Sequence, residues 1–240
     1  SSRLWWRRLE AARLLTLIGT AREAMLRLSR DAHPLVRAQA AEWMSQHPDP
    51  EIVDRLVDQV ADPAAVVRFA ARDALMRIGA PAQDAIAHAL SVAPTRAQAE
   101  LIAVAAAMPS SIFLARASEL SASDDAGVRC ASAALLRAVG GASAADRLIV
   151  LLDDPDERVR RVAAESLGQL AHWPAATAVA ARLEDPSWSV RLGAAVALQR
   201  LGAPGVMLLQ RARDRTCGDA GDVARQVLEV AEHLLLEPPR

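Results

Sequence analysis

Three adjacent carboxylate pairs, Asp124/Asp125, Asp153/Asp154 and Glu184/Asp185, together with five histidines, are the residues in this chain whose types could do chemistry. Side-by-side carboxylates can divide acid and base roles by pushing each other's pKa apart. Histidines can ligate metals or shuttle protons. The spacing points elsewhere. His33, His47, His88, His172 and His233 stand singly, none four residues from another and none followed by Glu. Cys130 and Cys217 lie far apart with no ligand partner at zinc spacing. No nucleophile elbow, phosphate loop or dinucleotide fingerprint is present. All 28 basic residues are Arg, and the chain has no Lys, Tyr or Asn. Lysine Schiff-base chemistry, tyrosine acid/base chemistry and N-glycosylation are therefore excluded. No catalytic residue, metal or cofactor is expected.

The carboxylate pairs share one context, which is what a repeated turn predicts and a single acid/base pair does not. "DDPDERVRRVAAESLGQL" (153–170) aligns with "DPAAVVRFAARDAL" (62–75), "DDAGVRCASAALL" (124–136) and "DPSWSVRLGAAVAL" (185–198), and with "DAHPLVRAQAAEWM" from residue 31. An acid or acid-Pro precedes Val-Arg, and small residues follow every third position. Arg37, Arg68, Arg129, Arg160 and Arg191 fall in one register of about 31 residues; Arg8 joins it near the N-terminus, and Ala99 and Ala224 occupy it where Arg is expected. Eight copies of one helix signature therefore run along the chain.

Between the copies lie segments such as "GASAADRLIVLLD" (141–153), with Leu148, Leu151 and Leu152 at helical spacing. Each unit reads as a helix pair. Gly79, Gly140 and Gly202 are placed to take a left-handed conformation after a helix. Pro63, Pro155 and Pro186 suit the first turn of the next, and the preceding Asp62, Asp154 and Asp185 are expected to cap it. No strand alternation appears, so the fold is expected to be all-α. The reading is one array over 1–240, with a terminal helix at 3–19 and repeats at about 20–47, 48–79, 80–108, 109–140, 141–171, 172–202 and 203–236.

A hairpin of this size cannot bury its apolar face alone, and stacking makes the core continuous. Arg37, Arg68, Arg129, Arg160 and Arg191 should then meet Asp62, Asp154 and Asp185 of neighbouring units, an acid/Arg ladder along one edge.

The signature resembles the HEAT repeat, and its short period is similar to the subgroup found in phycobilisome lyase-like proteins. The resemblance covers nearly the whole chain, with Ala99 and Ala224 as departures. It implies a right-handed, armadillo-like α-α superhelical solenoid, often a partner-binding scaffold, whose second helices line a concave side. Positions one and five after each register Arg would then face the groove. They include Phe69 and Asp73, Cys130 and Ala134, Arg161 and Glu165, Leu192 and Val196. Such a mixture suits protein contact. The resemblance also raises a bilin or chromophore lyase-like enzyme as an alternative, hinted at only by Trp173, Trp188 and Cys130. A nucleic-acid-binding array is the third reading.

Charge weighs against the third. Net charge is −1, and acids outnumber arginines after residue 30, so a duplex should be repelled. Residues 1–30 differ: seven Arg stand against two Glu. "RLWWRRLEAARLL" carries Trp5 and Trp6 beside Arg on a helix that is apolar on more than one side. An upstream segment, a second copy or a membrane surface is expected to cover this edge. The chain begins without Met and is expected to be an excised piece of a longer protein. Trp188, in the turn "DPSWSV", is the best single candidate for an exposed binding anchor. The expected function is a non-enzymatic bacterial scaffold or adaptor that binds another protein. The expected location is the cytoplasm, with the cytoplasmic face of a membrane as its alternative.

Overall fold

The computed structural model describes residues 3–19, 21–215 and 218–236, with the side chains of 95–96 and 231–236 left aside. Cys217 and the side chain of His233 lie outside what is described. Every regular element among the described residues is helical, and they group into two compact units, Ser1–Phe113 and Leu114–Arg240.

The first unit comprises α1 (Trp5–Ile18), α2 (Arg22–Leu28), α3 (Pro34–Gln46), α4 (Pro50–Gln59), α5 (Ala65–Ile78), α6 (Gln83–Val92) and α7 (Thr95–Ala107). The Arg-bearing helices α1, α3 and α5 pack side by side, and α4 and α6 form part of the second layer. Leu56, Leu75, Ile86, Leu90 and Phe113 are wholly buried between the layers, as are Trp43 and Met44 of α3 apart from a sliver of the Trp43 ring. In the second unit the Arg-bearing α9 (Ala126–Val139), α11 (Glu157–Gln169) and α13 (Trp188–Arg200) pack in the same order. They lie over α8 (Leu114–Leu120), α10 (Ala142–Leu151), α12 (Ala176–Ala181) and α14 (Ala203–Arg215), and α15 (Asp219–Leu236) closes the row against α13 and α14. Leu135, Leu136, Leu148, Leu167 and Leu198 fill that core.

The close approach of α11 and α13 depends on a missing side chain. A Cβ on Gly168 of α11 would stand 2.6 Å from the Ala197 Cα of α13. Ala163 and Ala164 of α11 and Ala194 and Ala197 of α13 are buried as well, and small residues at such positions let helices pack closely, in keeping with the Ala-rich repeat signature.

Gly79, Gly140 and Gly202 follow helix ends at positive φ of 70°, 73° and 75°, but with ψ of −132° and −170° Gly79 and Gly140 are extended there and do not adopt the left-handed helical conformation expected. The capping expectation is corrected. The helices after the acid-Pro turns begin at Ala65, Glu157 and Trp188, so Ala64, Asp156 and Ser187 are the N-caps and Asp62, Asp154 and Asp185 lie two residues outside. Pro63, Pro155 and Pro186 precede the caps instead of occupying the first turn. The physical reason lies in the Asp side chain. Its Oδ1 accepts the backbone N–H two residues on, from Ala64, Asp156 and Ser187, at 2.9 Å in each case. This tightens the turn ahead of the helix and holds the carboxylate out toward another element. Side chains that do cap helices include those of Asp49, Asp125 and Asp156.

Candidate functional site

The register Arg and Asp residues form the ladder, with a defined geometry at each rung. Arg37 Nε and Nη2 donate to the two carboxylate oxygens of Asp62 at 2.9 and 2.8 Å. Arg129 does the same to Asp154, and Arg160 to Asp185, both at 2.7 and 2.8 Å. Arg8 grips Asp31 likewise, a rung the sequence reading did not name. The third guanidinium nitrogen turns back: Arg160 Nη1 donates to the carbonyls of Asp154 and Pro155, and Arg37, Arg68, Arg129 and Arg191 repeat this five and six residues behind themselves. One side chain thus ties its own entry turn to the entry turn of the next repeat, with the planar fork that Arg alone provides.

Two rungs differ. Position 93, where Arg68 should find its acid, is Ala, and Arg68 Nε lies 3.9 Å from Glu100 instead. Arg191 reaches Asp219 through one contact of 2.8 Å, at an exposed carboxylate. The paired acids are held in the ionised form. Burial pushes the carboxyls of Asp62, Asp154 and Asp185 up, but the Arg fork and the turn N–H outweigh it, leaving each below its ordinary value. For Asp31 the Arg8 fork is the largest influence and the result is again downward. Acids locked in this way are poor candidates for proton transfer.

A second set of polar ties, on the other helix layer, escaped the sequence reading. Arg55 and Gln59 of α4 donate to the buried Ser29 carbonyl after α2, Arg147 of α10 to the Ser118 carbonyl in the last turn of α8 as well as to the Ser121 hydroxyl, and Arg182 to the Leu152 carbonyl after α10. Each satisfies a helix C-terminus in the preceding repeat. A signal existed, an Arg at similar depth in several second segments, but without the acid partner that made the first ladder conspicuous.

The candidate binding residues of the second unit come together. Arg161, Glu165 and Gln169 of α11 and Trp188, Leu192, Gly193, Val196 and Arg200 of α13 line one open groove of about 480 Å³. Trp188 is 55% exposed at its entrance. Arg161 Nη1 donates to Glu165 Oε1 at 2.8 Å one turn along α11. The bare Gly193 leaves the space in which the Arg161 stem lies, 3.2 Å from where its Cβ would be. Arg200 is exposed at the far rim. Trp173, also exposed, is not part of this groove, nor is Cys130, whose thiol is pushed up by burial and is correspondingly less nucleophilic.

In the first unit Phe69 stands 74% exposed on α5. Trp5 and Trp6 sit at the start of α1. The Trp5 indole stacks on the His33 imidazole, ring centres 3.9 Å apart and planes within 5°, and the Arg7 guanidinium lies 5.2 Å from the Trp6 ring. Trp43, within the core of the same unit, is stacked on His47. Among the described residues no group of three or more His, Cys, Asp or Glu is arranged to hold a metal.

Paired helices, a register Arg in most of the alternate helices and acid turns one repeat apart define a helical-repeat protein. The chain belongs to the HEAT-repeat family: the family's pattern, described as HEAT repeats, matches residues 21–109, 114–199 and 146–231. Among solved structures it is similar to YibA of Escherichia coli, at 17% identity over 100% of this chain and 93% of that one, with a TM-score of 0.52. An engineered protein matches at 20% identity over 92% of this chain and 73% of that one, TM-score 0.51. The complex of CpcE and CpcF of phycocyanin lyase from a Nostoc species gives 20% identity, 96% and 90% coverage and a TM-score of 0.41, too low to carry an argument. At such identities the likenesses concern fold alone. Comparison with curated proteins found no match.

Proposed function

We propose that the chain is a non-catalytic scaffold that binds another protein through the α11–α13 groove. The observation that carries this reading is Trp188, a large ring exposed at the mouth of a groove whose wall is Leu192 and Val196 and whose rim is charged by Arg161, Glu165 and Arg200. An aromatic anchor beside apolar wall and polar rim is the composition of a protein-binding hot spot. Phe69 is a second exposed contact on the Arg-bearing layer of the first unit. The register of about 31 residues runs through both units, and on it we base the reading of 1–240 as one functional array.

Capture from a lysate of the source cell, followed by titration of the purified captured protein, tests this. Trp188→Ala combined with Leu192→Asp should weaken binding by about thirtyfold, the factor that a hot-spot loss of ~2 kcal/mol produces. The melt of the double variant should match wild type. Equal affinity for wild type and variant would remove the groove from the binding surface.

A further inference from the structure

We propose that the N-terminal edge of the first unit, α1 with the groove between α1 and α2, lies on an anionic lipid surface. The argument is independent of the α11–α13 groove. Helix α1 turns Leu9 and Ala12 into the core, yet its opposite side also carries exposed apolar residues: Trp6 near its start and, beyond the exposed Glu10, Leu14, Leu17 and Ile18, which are 59, 84 and 65% exposed. Their spacing of three and four residues makes a single stripe. The same helix borders an open groove of about 600 Å³ lined by Ala11, Leu15, Ala24 and Leu28, by Arg7 and Arg27, and by the mutually neutralising Arg8–Asp31 pair.

Charge selects the occupant. Arg3, Arg7, Arg13, Arg27 and Arg30 are exposed around this edge, against Glu10 as the one acid on α1 and Glu23 on α2. Arg22 is already engaged by Asp49 and Glu51. A second copy presenting the same edge would set these arginines against one another. A nucleic acid would satisfy the arginines but leave Leu14, Leu17 and Ile18 in water. An anionic bilayer satisfies both, with the stripe at the acyl boundary and the guanidiniums and indoles among the headgroups. The stack on His33 fixes Trp5 in place at this edge before any contact is made. No described helix is long and apolar enough to cross a membrane, so the contact inferred is with the surface.

The test is flotation of the 240-residue chain with phosphatidylcholine vesicles, with and without about one third phosphatidylglycerol. The wild type should partition to the anionic vesicles about tenfold or more above the neutral ones, and raised salt should reduce the difference. Leu17→Ser/Ile18→Ser should lose about tenfold with an unchanged melt, since both residues are exposed. Arg7→Ala/Arg13→Ala should bring anionic binding down toward the neutral level. Trp188→Ala should float as wild type does, which separates this result from the fate of the protein-binding groove. Failure of the wild type to float with anionic vesicles, or equal flotation of the serine variant, would overturn the proposal. So would sedimentation showing a dimer that Leu17→Ser/Ile18→Ser dissociates while neither protein floats, because the edge would then belong to a second copy.

Discussion

Arg160 and Asp185 are joined by two parallel hydrogen bonds, Nε to Oδ2 at 2.7 Å and Nη2 to Oδ1 at 2.8 Å, with the Asp185 side chain only 2% exposed. The same Oδ1 also accepts the Ser187 N–H, and the same guanidinium reaches back to its own turn. A carboxylate so placed depends on its cation. Arg160→Ala leaves Asp185 charged and short of partners, and should cost about 2–4 kcal/mol. Thermal and denaturant melts measure this; a loss below 1 kcal/mol would show the rung to be ornamental.

Acid should dissolve the ladder. Asp31, Asp62, Asp154 and Asp185 have folded values below the ordinary 3.8, so their contribution is complete above that pH and is lost as the pH falls through the lower folded values. Stability should hold level from neutral pH to about 5 and then drop steeply below about 4. Asp185→Asn should be less stable at neutral pH and lose less between pH 5 and 3. A melt series across this range decides it.

Two glycines on the α11–α13 seam should respond oppositely to the same change. A Cβ at Gly168 meets Ala197 backbone at 2.6 Å, so Gly168→Ala must push the helices apart, at about 1–3 kcal/mol. At Gly193 the nearest atom is Arg161 Cγ at 3.2 Å, on a stem that can shift, so Gly193→Ala should change stability by less than about 1 kcal/mol, helped by helix propensity. It should, however, narrow the groove and weaken partner binding.

The missing acid at position 93 can be supplied. Ala93 has φ −67° and ψ 143°, close to the −60° and 141° of Asp185, and both residues precede a Pro. Ala93→Asp should therefore present a carboxylate to Arg68 as Asp185 does to Arg160, stabilising the first unit by about 0.5–1.5 kcal/mol. A melt that is unchanged or lowered would mean that Arg68 does not leave Glu100 for the new partner.

The ladder was legible because Arg and Asp recur at a fixed interval, and periodicity survives whatever the exact turn geometry is. The role of each Asp within its turn was not, because a cap and an outlying turn residue differ by two positions that carry the same residue types. That Arg161, Glu165, Leu192 and Val196 would share a groove was expected only from the layout that the HEAT-repeat resemblance implies, not from the periodicity itself. The stack of Trp5 on His33 joins residues in different helices with no repeat between them, and a lone Trp and a lone His carry no pairing signal. The tight Gly168–Ala197 approach was equally silent, since a glycine inside a helix pattern does not announce its neighbour.

The rung joins an arginine of one repeat to an aspartate of the next, so every complete repeat brings both a donor and an acceptor, and neither is used up within itself. A duplicated copy inserted in frame would find its aspartate gripped by the repeat before it and its arginine answered by the repeat after it. Loss of a whole copy would leave the flanking pair to meet in the same way. Lengthening and shortening by entire repeats are thus chemically self-completing changes in such a lineage, while a partial insertion strands one charge at each end, which sets the step size by which the chain can grow.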